Sequence, residues 1–114
     1  MRRDPQRLQD ILDALDWIAR AIANRTEDEF AADETLCFAV AQQLTVVGEA
    51  AARLTDSLTV GNQDVPWADI VGLRNILVHE YFGIHWPLVW QTAVDHAPVL
   101  RVQVAKILDL ESGR

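Results

Sequence analysis

The 114-residue chain has one cysteine, one methionine, one tyrosine and a single lysine, with only five glycines and four prolines. A lone Cys37 excludes an intrachain disulfide and a cysteine-based zinc site, and gives no reason to place the chain outside a reducing compartment, so a cytoplasmic location is expected. Sparse Gly and Pro exclude a collagen-like or low-complexity chain. No long apolar run is present either. A stretch without Asp, Glu, Lys or Arg from Tyr81 to Val94, which no other exceeds in length, is broken by Gly83 and Pro87 and falls short of the ~18–20 apolar residues that span a bilayer. The opening MRRDPQRLQD carries charge without a following apolar segment, so no secretory signal and no membrane association are expected.

What is present is apolar content of 50% against 24% charged residues, the mix of one globular domain over residues 1–114 with a real core. Ten Lys plus Arg face seventeen Asp plus Glu for a net charge of −7, which argues against tight non-specific binding of a polyanion. The excess is uneven. Residues 1–65 hold six basic and twelve acidic groups, and residues 66–114 hold four and five. Between Ile70 and Val94 the only formal charges are Arg74 and Glu80, so the acidic half suits a basic protein partner while the second half leaves room for selective action at a local site.

Leu8, Ile11, Leu12, Leu15, Ile18 and Ile22 recur at spacings of three and four, which predicts an amphipathic helix over about 5–24, with Asp4 as N-cap and Pro5 in the first turn. Thr26-Glu27-Asp28-Glu29 has the form of a capping box. From Asp33, the series Leu36, Val40, Leu44, Val47, Ala51 marks a second long helix. Beside it the small stripe Cys37, Ala41, Thr45, Gly48, Ala52 would let another helix approach closely. Thr55–Asp64, with Gly61-Asn62, reads as a loop. Pro66 restarts a helix with Trp67, Ile70, Leu73 and Leu77 inward and Gly83 as its stop; a last helical region spans about Pro87 to Leu110, with a kink or break expected near Pro98. The class is all-α, an up-and-down bundle of four to five helices.

Polar groups crowd an otherwise apolar helix only in GLRNILVHEY, residues 72–81. On a regular helix Arg74 and His79 lie about 140° apart, while Arg74 and Tyr81 are nearly eclipsed. An imidazole titrating near neutrality can take a proton from a ribose 2′-hydroxyl, and a guanidinium can hold the phosphate and offset charge in the transition state, with no metal or cofactor. Asn75 could orient a substrate oxygen or the imidazole, and Tyr81 could add a donor. Spacing alone equally allows His79 bonded to a carbonyl and Arg74 paired with Asp69 or Glu80. Glu49 reads as an exposed or N-terminally paired carboxylate, with steering of Arg74 as the lesser alternative. Trp86 and Trp90, four apart, read as core or dimer interface ahead of base stacking. His79, Glu80, His85 and His96 make no HExxH or ExxH pattern, so no metal site is expected.

The segment PWADIVGLRNILVHEYFGI, together with RRDPQRLQDILDALDWI, LTVVGEAAARL and WPLVWQTAVDHAPVL, resembles HepT-type toxins of the HEPN ribonuclease superfamily. The resemblance implies a helical bundle that dimerises so that two Arg–His motifs meet in one cleft, acting as a metal-independent endoribonuclease on RNA. Arg74 and His79 would be the catalytic pair, Asn75 the polar residue after the Arg, and Tyr81 the motif tyrosine. It further implies a type VII toxin–antitoxin system whose minimal nucleotidyltransferase antitoxin neutralises the toxin by AMPylation of Tyr81, with larger hetero-oligomers of the two proteins open. A reading from a different class is a non-catalytic helical partner, or nucleotide-binding module, of a nucleotidyltransferase.

Overall fold

A computed structural model describes residues 3–112. In chain order it contains α1 (Asp4–Ile22), α2 (Glu27–Ala32), α3 (Glu34–Ala52), α4 (Asp56–Val60), α5 (Trp67–His79), a 3₁₀ turn (Tyr81–Gly83), α6 (Trp86–Gln91), a π-helical turn (Thr92–His96) and α7 (Ala97–Glu111). The chain is all-α, with no strand among the described residues. Four long rods, α1, α3, α5 and the joined α6–π–α7 segment, make the bundle, and α2 and α4 are short connectors.

Helix α3 is the central rod. It packs on α1 and on α5, while α1 also packs on α7. One half of the core joins Leu8, Ile11 and Leu15 of α1 to Val47 and Ala51 of α3 and to Val104 and Ile107 of α7. The other joins Ile18, Phe30, Val40, Leu44, Leu77 and Val89. Removing each of the larger of these side chains, Val, Leu, Ile and Phe, from water stabilises the fold by roughly 1.5–3 kcal/mol, which is why the three-four stripes set which faces turn inward. Among the described residues α3 is the one helix long and apolar enough by length and composition to cross a bilayer, yet Val40, Leu44 and Val47 along it are core residues of the bundle.

Local chemistry moves several helix ends from where the sequence puts them. Arg3, not Asp4, occupies the cap position of α1. The Asp4 carboxylate is drawn instead to Thr55, accepting from its backbone N at 3.1 Å and its Oγ1 at 2.6 Å, and so ties the start of α1 to the start of α4. Helix α1 ends at Ile22, and Asn24 follows in the left-handed region at φ 62°, a conformation asparagine tolerates better than most residues. The capping box forms as expected: Glu29 N donates to Thr26 Oγ1 at 3.1 Å and Thr26 N donates to Glu29 Oε1 at 2.8 Å.

The expected loop 55–64 contains α4, capped by Thr55 Oγ1, which accepts from Leu58 N. Burial of Leu58 supports this short helix. The kink or break expected near Pro98 appears as a π-helical turn at 92–96 directly before α7, so the last helical region is joined from pieces instead of running as one regular rod.

Candidate active site

Helix α5 carries Arg74, Asn75 and His79 and is apolar over most of its circumference, with Asp69 as its other charged residue. A helix apolar all round is ordinarily buried on all sides. In α5 only Leu77 is buried, and Ile76 and Val78 are 43% and 45% exposed. Its one extensive neighbour is α3. On the opposite flank Gly72, Leu73 and Ile76 border an open groove of about 470 Å3 whose far wall is Leu88, Thr92 and His96.

The α3–α5 contact is closest at Gly48. A Cβ there would overlap that of Arg74 and lie 2.9 Å from its Cγ and 3.2 Å from the carbonyl of Ile70. The small stripe on α3 thus does bring a second helix in, and that helix bears the arginine. Arg74 then reaches across to Glu49: its Nε donates to Glu49 Oε1 at 2.8 Å and its Nη2 donates to the same oxygen. Nη1 donates to Asn75 Oδ1 at 2.6 Å. The partner of Arg74 is therefore Glu49 rather than Asp69 or Glu80, the lesser of the two roles the sequence offered for Glu49. Its only sequence signal was its place beside a small residue on the close-packing stripe.

His79 is the last residue of α5 and is exposed, with no hydrogen bond or ion pair among the described residues. It is not a buried, carbonyl-bonded histidine. Within one chain, no contact joins its imidazole to the Arg74 guanidinium, in keeping with their 140° separation. The eclipsing of Arg74 and Tyr81 does not survive, because α5 ends at His79 instead of continuing to Gly83. Glu80, at φ −116° and ψ 40°, leaves the helix, and Tyr81 enters the 3₁₀ turn.

There the Tyr81 ring stacks on Phe38 of α3, centroids 5.1 Å apart and planes at 26°. Phe38 also meets the edge of Trp86 at 5.0 Å. The stack fixes the ring but leaves Tyr81 52% exposed, and the following Phe82 is fully exposed. Trp86 and Trp90 pack on Phe30, centroids 6.5 and 5.3 Å away, which makes them part of the aromatic core. Cys37 is buried, its Sγ donating to the Phe30 carbonyl at 3.1 Å, and burial pushes its thiol pKa up, the environment of an inert structural cysteine. Among the described residues, no three His, Cys, Asp or Glu side chains gather as a metal ion would require.

The profile of ribonuclease HepT-like proteins matches residues 11–107, which takes in Arg74, Asn75, His79 and Tyr81. The chain belongs to the HepT-like family. It is 32% identical over 104 residues to a candidate RNase of Caldanaerobacter subterraneus subsp. tengcongensis, covering 91% of this chain and 93% of that one. A candidate RNase of Methanocaldococcus jannaschii is 32% identical over 97 residues, 85% and 89% of the two chains. A Thermococcus cleftensis protein named "Probable ribonuclease HepT" is 27% identical over 100 residues, 88% and 91% of the two. No solved structure matches significantly. Every one of these relatives is matched over most of its length, so the likeness extends beyond the Arg–His segment of this HepT-like chain to its whole helical frame.

Proposed function

We propose that this chain is a metal-independent endoribonuclease, the toxin of a type VII toxin–antitoxin pair, with Arg74 and His79 as its catalytic residues. The observation that carries the reading is the Arg74–His79 motif, with Arg74 half-buried and His79 exposed, on a helix whose apolar flank borders an open groove, in a member of the HepT-like ribonuclease family. A second copy of the chain, laid against that flank, would bury Gly72, Leu73 and Ile76 and bring two motifs into one cleft. This supplies what a single chain lacks, since the Arg74 guanidinium is bonded to Glu49 and Asn75 and not to its own chain's His79.

In such a cleft His79 takes the proton of a ribose 2′-hydroxyl, and the freed oxygen attacks the adjacent phosphorus. The bond from phosphorus to the 5′-oxygen breaks, that oxygen is protonated by an imidazolium, and a 2′,3′-cyclic phosphate remains. Arg74 offsets the charge that builds on the non-bridging oxygens. Asn75, already bonded to Nη1, holds the guanidinium plane. The antitoxin, a minimal nucleotidyltransferase, neutralises the enzyme at Tyr81: the phenol oxygen attacks the α-phosphorus of ATP, a phosphodiester to AMP forms and pyrophosphate leaves. The exposed edge of the Tyr81 ring, held against Phe38, suits such a transfer.

The reading is tested by incubating purified protein with RNA in EDTA. Cleavage leaving cyclic phosphate ends and absent in His79→Ala is expected. Cleavage that survives His79→Ala removes the assigned base. Complete lack of cleavage, with overexpression that leaves growth intact, favours the non-catalytic partner of a nucleotidyltransferase.

A further inference from the structure

We infer that Glu49 is a positioning residue for Arg74, fixing which edge of the guanidinium is offered to the substrate phosphate; the inference rests on the nuclease reading above. A guanidinium has five N–H donors in one plane. Here Nε–H and one N–H of Nη2 are taken by a single carboxylate oxygen of Glu49, and one N–H of Nη1 is taken by Asn75. One N–H on Nη1 and one on Nη2 are left, a pair that can grip two non-bridging oxygens of one phosphate.

The anchor comes from a different rod than the arginine. Glu49 stands on α3, next to Gly48, at the closest approach of α3 to α5. The Arg74 stem is thereby packed against Gly48 of α3, and the Glu49 and Arg74 side chains are 38% and 27% exposed. Glu49 also balances the arginine's charge before substrate arrives. Without it the guanidinium is free to turn and bears an uncompensated charge, so ground-state attraction for RNA is kept or raised while the aligned transition-state contact is lost.

That combination gives a kinetic signature. Glu49→Ala is expected to lower kcat about 10- to 100-fold, as misplacement of a reacting group does, with KM unchanged or lower. Glu49→Gln, which keeps one acceptor, should recover part of kcat. In the double variant Arg74→Ala/Glu49→Ala the loss should be no greater than in Arg74→Ala, because Glu49 acts only through the arginine. Folded content is checked in each variant by circular dichroism and thermal melting. A folded Glu49→Ala with kcat within about twofold of wild type, or a loss that adds in full to that of Arg74→Ala, overturns the inference and leaves the nuclease reading standing. Wild type and Arg74→Ala equally without cleavage overturn the nuclease reading and this inference with it.

Discussion

One carboxylate oxygen of Glu49 accepts from both Nε and Nη2 of Arg74, so α3 and α5 are fastened by the side chain that would also face a phosphate. Stability and the candidate chemistry meet at that point, and the first prediction follows from its geometry.

Gly48→Ala puts a methyl group where Arg74 Cβ already sits. Helix α5 must shift away from α3, and overpacking of this kind costs about 1–3 kcal/mol. Urea denaturation should show that loss. RNA cleavage by the folded fraction should fall as well, because Arg74 rides on the displaced helix.

Ile76 lies on the uncovered flank of α5. If that flank seats a second copy, Ile76→Glu places a charge in the joint without disturbing the monomer core. Sedimentation should find wild type as a dimer and the variant as a monomer with unchanged helical content. A variant that remains dimeric would move the joint to another surface.

Tyr81→Phe keeps the ring that stacks on Phe38 and removes only the phenolic oxygen. Cleavage should persist at a reduced or equal rate, while a co-expressed nucleotidyltransferase should lose its ability to modify and silence the enzyme. Intact mass of wild type after co-expression should rise by one adenylyl group. Modification of the Phe variant would place the acceptor elsewhere.

Asp16 accepts hydrogen bonds from Arg101 Nε at 2.8 Å and Nη2 at 3.4 Å, joining α1 to α7, and these hold its carboxyl below the ordinary aspartate value of 3.8. A carboxylate whose folded pKa is depressed stabilises the fold above its unfolded pKa, and the effect is lost as pH falls through the lower folded value. The pair is solvent-exposed, so its contribution is about 0–1 kcal/mol. Wild type should exceed Asp16→Asn by that small margin at pH 7, and the gap should close below pH 3.8. Paired urea titrations at neutral and acid pH check it; a gap independent of pH would assign the effect to something other than the charge.

The long rods were legible because burial dictates them. The stripe Leu8 to Ile18 and the stripe Leu36 to Val47 are the residues that meet in the core, and no local preference opposes them. The capping box at Thr26 was legible for a similar reason, since both of its hydrogen bonds lie within four residues. What escaped the sequence depends on partners far along the chain. Asp4 has the chemistry of an N-cap, but Thr55, fifty-one residues away, offers it two donors. The segment 55–64 has the polarity of a loop, but Leu58 finds a place in the core and winds it into α4. Gly83 marks a stop for α5 in the sequence because glycine is a usual helix terminator. The helix ends earlier, where Phe38 offers Tyr81 a ring to lie on. Arg74, Asn75, His79 and Tyr81 stand out in the sequence as polar groups on an apolar helix, and only the likeness to HepT-type toxins sets them apart from ordinary paired or solvated side chains, whereas the Glu49 contact depends on how two rods cross.

The aromatic contacts around Phe38 have an optical consequence. Trp86 is a single ring removed from Tyr81, edge-on to the phenylalanine that Tyr81 covers. Any group added to that tyrosine, or any chain laid over it, alters the surroundings of one of the chain's four native indoles, so a change in total tryptophan emission, absent from a Trp86→Phe variant, reports the state of the site without a label.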